Sequence, residues 1–275
     1  MPFIPLLSAH TLPGGKTVKR DRAFELDLLR GIAIVMMISM HFSYDVRYNF
    51  GVPVFGYLET SWFMGIVHPI ILVLFVGVSG ICCTFSRNNL FRGLKLLGIA
   101  VGLFAATFIV TKYLNIYCLI IFNVIALLAT GILLYALISF IEKKFKVRSG
   151  IIDLILVLVG AYAASLGLTM SYFDYQVNNI LLLPTGIRME CLPPQGDFMP
   201  LFPWIGVFLI GCFAGRRLYS DKKTLFPGAP APVRAISRPF EFLGRHSLII
   251  YLVHQPVMYV ILLGIFMLIR AVSGK

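Results

Sequence analysis

Seven stretches of the sequence are apolar for long enough to cross a bilayer. They lie near residues 28–46, 62–86, 93–111, 116–141, 150–170, 201–218 and 246–270. A spanning helix needs about 20 mostly apolar residues. In lipid no water is at hand, so backbone N–H and C=O groups must pair along the helix itself. Runs of this length, split by short polar segments, predict an all-α polytopic membrane helix bundle of about seven transmembrane helices. The composition agrees: 59% of residues are hydrophobic and only 13% are charged. That is too little polarity to cover a water-exposed surface. A soluble globular enzyme, a disordered chain and a disulfide scaffold are excluded.

The first run is not read as a cleavable signal peptide. It carries Asp27, Arg30, His41 and Asp45 and lacks a small-residue cleavage site. Residues 1–20 are expected to form a mobile N-terminal tail, and 21–275 a single membrane domain. The five cysteines are scattered, with no CxxC and no metal-ligand spacing. No metal is therefore expected. Cys118 and Cys191 both fall on the predicted outer side, where a disulfide is chemically allowed.

The charge is lopsided: 24 Lys and Arg against 12 Asp and Glu, net +12. Lysine and arginine stay on the cytoplasmic side of membrane proteins. With the N-terminus inside, nineteen of the 24 basic residues fall on inner segments. They gather at Lys16–Arg30, Arg87–Lys95, Lys143–Arg148 and Arg216–Arg245. This predicts a cytoplasmic N-terminus and an outer C-terminus. The basic excess is thus an orientation signal, with the lipid bilayer as partner and no nucleic acid. Short loops fit a bacterial inner (cytoplasmic) membrane. The connection 219–245 reads as a cytoplasmic loop, flexible over 227–232. Gly98/Gly102, Gly211/Gly215 and Gly77/Gly80 read as small-residue faces for close helix packing.

Ionisable groups are costly in lipid, so those inside spans are functional candidates. Asp27 and Arg30 lie on one face at the inner end of the first span and can pair there. His41 and Asp45, four residues apart, share a face toward the outer end. A carboxylate beside an imidazole fixes its tautomer and stabilises the imidazolium, which is what a general base needs. A histidine satisfied by one hydrogen bond inside the bundle is the plainer reading. His68 opens the second span at the same outer depth, next to Pro69. Arg245 and His246 open the last span at the inner face. Cationic side chains and free helix N-terminal amides there suit phosphate, although positive-inside anchoring also explains them. His254 and Gln255 follow deeper, before Pro256. Asn123 is a weaker candidate for contact with substrate.

Three stretches resemble one family. They are Arg22-Ala-Phe-Glu25-Leu-Asp27-Leu-Leu-Arg30-Gly31 with Met40-His41-Phe42 and Asp45, then Phe202-Pro203-Trp204-Ile-Gly206, then Leu243-Gly244-Arg245-His246-Ser247 through His254-Gln255-Pro256. Together they resemble the heparan-alpha-glucosaminide N-acetyltransferase catalytic-domain family over about residues 20–265. The resemblance implies a transmembrane acyltransferase-like domain. It would carry acetyl from cytoplasmic acetyl-CoA, the acyl donor, to an amino sugar or other glycan acceptor outside. Eukaryotic members use a histidine of the first outer loop. This chain has none between residues 42 and 67, and His41 is the nearest substitute.

On this reading His41, Asp45 and His68 are catalytic, with His41 as base and Asp45 orienting it. Arg30, Arg245, His246 and His254 bind the acyl-CoA. Asp27 and Gln255 bind substrate. The same residues also suit a proton-coupled transporter, or a catalytically inactive membrane subunit. The oligomeric state is left open, a homodimer included.

Overall fold

The structure is a computed structural model describing residues 23–114, 118–170, 179–187 and 197–273. The predicted tail lies outside the described residues, as do Cys191 and most of the loop at 171–200. Every regular element among the described residues is helical. The long helices are α1 (Phe24–Tyr44), α2 (His68–Cys83), α3 (Asn89–Leu114), α4 (Val124–Lys144) and α5 (Ser149–Met170). Then come α6 (Trp204–Leu218), α7 (Ala231–Arg245) and α8 (Ser247–Ser273). Among the described residues six segments are long and apolar enough to cross a membrane: Phe24–Asn49, Phe63–Cys83, Asn89–Tyr113, Val124–Lys144, Ser149–Met170 and Ser247–Ser273. The predicted span that is missing from these six, 201–218, corresponds to α6. At 15 residues it extends about 22 Å, short of the roughly 30 Å hydrocarbon core.

The chain divides into two compact units, one of residues 1–75 with 221–275 and one of 76–220. In the second unit α6 is central. Phe208 on α6 is fully buried, against Gly131 of α4. A Cβ on Gly211 would overlap the Gly77 carbonyl of α2, and one on Gly206 the Gly160 carbonyl of α5. The predicted faces at Gly77/Gly80 and Gly211/Gly215 are therefore true contact faces. Gly98 and Gly102 are not: nothing lies within 4 Å of a Cβ added at either. Arg216 anchors one end of this unit, with Nη1 and Nη2 donating to Glu142 at 2.9 and 2.7 Å. Its Nε donates to Asp153, which also pairs with Arg217 at 2.8 Å. Asn123, a predicted substrate contact, is instead the N-cap of α4. Its side chain accepts from the Ala126 N–H at 3.2 Å.

In the first unit the connection read as a loop contains a helix. α7 has Pro232 in its first turn, where the missing N–H costs nothing, and tolerates Pro239 further on. Packing on α1 offsets that lost bond. Gly31 and Gly244 let the backbones touch, so that a Cβ on Gly244 would overlap the Asp27 carbonyl. α8 also packs on α1. Beyond α1 the chain continues as a π-helical turn over Asp45–Asn49. Residues 50–62 are tied back by Arg47, which donates to Val54 O at 2.9 Å and to Glu59 at 3.0 Å.

Candidate functional site

The predicted site residues fall at two ends of α1, and the two ends differ. At the N-terminal end, Asp27 is buried but does not pair with Arg30 as expected. It accepts from Arg245 Nε at 3.3 Å. Arg245 Nη2 also donates to Glu241 at 3.0 Å, one turn earlier on α7. Buried Glu241 further accepts from Ser237 Oγ at 2.6 Å and Arg234 at 3.3 Å. Glu25 accepts from Thr224 Oγ1 and the Leu225 N–H at 2.7 and 2.9 Å. Sequence spacing missed Glu25 and Glu241, whose partners are supplied by α7 and the segment before it.

This geometry gives the expected cationic residues other partners. Arg245 closes α7 rather than opening α8, and two carboxylates already neutralise it. His246 caps α7: its N–H reaches the Phe242 and Leu243 carbonyls, and Nδ1 lies 2.9 Å from Phe242 O. Arg30 has no ion-pair partner among the described residues.

Toward the other end, three helices bring histidines together. The His41 and His254 rings lie 5.1 Å apart, centroid to centroid. His68 of α2 is close enough to His41 to interact with it electrostatically. Asp45 is wholly buried. It does not orient His41 through the expected turn-apart pair. It accepts from Asn49 Nδ2 at 2.7 Å and from Gln255 Nε2 at 3.0 and 3.1 Å. Through Gln255 it lies beside His254, the preceding residue of α8.

Two acceptors in this cluster lack partners. His254 Nδ1 lies 2.7 Å from Tyr251 O. A carbonyl only accepts, so Nδ1 carries a proton, and in the neutral ring Nε2 presents a lone pair. Nε2 is buried with no hydrogen-bond partner. Gln255 commits its NH₂ to Asp45, and its Oε1 is likewise buried and unpartnered. Buried polar atoms are normally satisfied, so each exception calls for a ligand or a function. Above them Tyr57 donates to Ser43 Oγ at 2.7 Å. An apolar cavity of about 190 Å³ runs beside α1, reaching Met40 next to His41.

Among the described residues no group of three or more His, Cys, Asp or Glu is arranged to hold a metal ion. What is arranged is an imidazole with its Nε2 buried and unpartnered, a carboxylate near it and an oriented amide oxygen. These are the elements of proton transfer within a polytopic helix bundle. Residues 22–256 match the family model described as heparan-alpha-glucosaminide N-acetyltransferase, catalytic. The chain belongs to that family, whose catalytic domain implies transferase activity. Neither a curated protein nor a solved structure matches the chain.

Proposed function

We propose that this chain transfers an acetyl group from acetyl-CoA to an amine or hydroxyl of a glycan acceptor. The chemistry is assigned to the cluster of His254, His41, His68, Asp45 and Gln255. The observation that carries this reading is the state of His254: proton fixed on Nδ1, lone pair of Nε2 buried and free. An imidazole in that tautomer is ready to accept a proton.

His254 Nε2 takes the proton from the acceptor as its nitrogen or oxygen attacks the acyl carbonyl. The new C–N or C–O bond forms, the C–S bond breaks, and the proton passes from His254 to the departing thiolate. Asp45 stabilises the imidazolium between those two transfers. Gln255 Oε1 accepts a hydrogen bond from the acceptor, favouring substrates that carry N–H or O–H donors. His41 and His68 stand by for proton relay. Base and carboxylate thus differ from the His41–Asp45 pair expected from spacing. At the other end of α1, Arg30 is the residue free to meet the donor's phosphates. The membrane is assigned as a bacterial cytoplasmic one, with the Arg30 end inside.

The test is turnover by the purified chain in proteoliposomes supplied with labelled acetyl-CoA and a panel of amino sugars and neutral sugars. Acetylated product with at least one amino sugar is the expected result. No product with any acceptor, together with no thermal shift on adding acetyl-CoA, would overturn the proposal.

A further inference from the structure

α7 has two unlike halves, and α1 covers only the seam between them. At about 100° per residue, Arg234, Ser237, Arg238, Glu241 and Arg245 share one half. Val233, Ile236, Phe242 and Leu243 share the other. The buried residues are Ser237, Glu241 and Gly244. Most of the apolar half stays uncovered: Ile236 is 69% exposed and Phe242 62%, while Leu243 is half-buried. The segment before α7 repeats the pattern. Leu225 and Phe226 are exposed and wall an apolar groove of about 540 Å³ together with Phe24, Leu28 and Val233.

The level of this surface is set by α1. Phe24, Glu25, Asp27 and Gly31 contact α7 and its preceding segment, and they lie in the first turns of a membrane-spanning segment. That is where hydrocarbon gives way to headgroups. Charge is arranged to match. Arg234 and Arg245 are engaged with Glu241 and Asp27. Lys222, Lys223 and Arg238 are exposed and have no ion-pair partner among the described residues.

We propose that residues 222–245 form an in-plane interfacial element that binds anionic phospholipid of the leaflet at the N-terminal end of α1. Ile236, Phe242, Leu225 and Phe226 dip between acyl chains, and Lys222, Lys223 and Arg238 hold the headgroup phosphates. Amphipathic helices with one basic and one apolar face take up this position. The groove under Leu225 and Phe226 receives part of an acyl chain. This surface works independently of the acetyl-transfer assignment.

The experiment uses the full chain in nanodiscs of phosphatidylglycerol and phosphatidylcholine, followed by native mass spectrometry of the retained lipids. The parent should retain phosphatidylglycerol preferentially. Arg238→Gln should lower that preference about five-fold, and the triple change with Lys222→Gln and Lys223→Gln by a similar further factor per charge. In parallel, the added emission of Ile236→Trp, read over the Trp62 and Trp204 background, should be quenched by brominated lipid and spared by aqueous iodide. Equal retention of the two lipids by parent and triple variant would overturn the headgroup assignment. Quenching of Ile236→Trp by iodide alone would overturn the interfacial placement. Displacement of retained phosphatidylglycerol by free coenzyme A would assign the basic residues to a soluble phosphate ligand and overturn the lipid assignment.

Discussion

The two ends of α1 hold similar residues in opposite states. Near Phe24–Gly31, three buried carboxylates have their partners: Glu25 with Thr224 and Leu225, Asp27 with Arg245, Glu241 with Ser237, Arg234 and Arg245. Near His41–Asn49, a buried carboxylate is satisfied only by amides, and the lone pairs of His254 Nε2 and Gln255 Oε1 are left over. A polar cluster whose groups satisfy one another holds helices together. One that keeps buried acceptors vacant is built to meet a group from outside. Composition alone favoured both ends equally for chemistry, and hydrogen-bond accounting separates them.

The sharpest separation comes from removing charge at the satisfied kind of cluster. Arg216→Ala in the second unit strands Glu142, whose side chain is 19% exposed, and leaves the 5% exposed Asp153 with Arg217 alone. We expect about 3–5 kcal/mol of destabilisation, read as a lower midpoint in detergent or heat unfolding. Glu241→Gln should act in the same direction but more weakly, by about 1–3 kcal/mol. Turnover per folded molecule should be retained. A large loss of turnover at unchanged stability would move Glu241 into the catalytic group and dissolve the contrast.

At the other end the signs should reverse. Gln255→Leu removes the free amide oxygen and the donor to Asp45. KM for the acceptor should rise about ten-fold. If only stability falls, Gln255 is a packing residue and the contrast weakens. A smaller effect tests the strap over this end. Tyr48 and then Arg47 hydrogen-bond to Glu59 and hold its carboxyl below the usual carboxylate range. A carboxyl lowered in the folded state stabilises above its ordinary titration range, and that stabilisation fades as pH falls through the lowered value. The group is fully exposed, so the effect is small. The unfolding midpoint of Glu59→Gln should depend less on pH through mild acid than that of the parent.

Most of the bundle is legible from sequence because a span is a local property. Twenty apolar residues must be helical in lipid wherever they fall. α7 escaped because its signals are local and misleading, with Pro232 and Pro239 inside a polar connection, while the force that stabilises it is the approach of Gly244 to α1. The site shows the same limit. The i,i+4 rule made His41 and Asp45 partners, yet Asp45 is taken by Gln255, 210 residues away. His41 and His254 meet only because α8 lies along α1. Residue types were readable, and which of them touch was a property of the tertiary packing. The family resemblance supplied the class of reaction, which spacing alone left open to transport.

The proposed transfer depends on His254 as the proton acceptor, and its most direct test is acetyl transfer by His254→Ala in proteoliposomes. Turnover should fall about 10²–10⁴-fold while the unfolding midpoint stays at the parent value. Turnover equal to the parent, with His41→Ala inactive in its place, would contradict it.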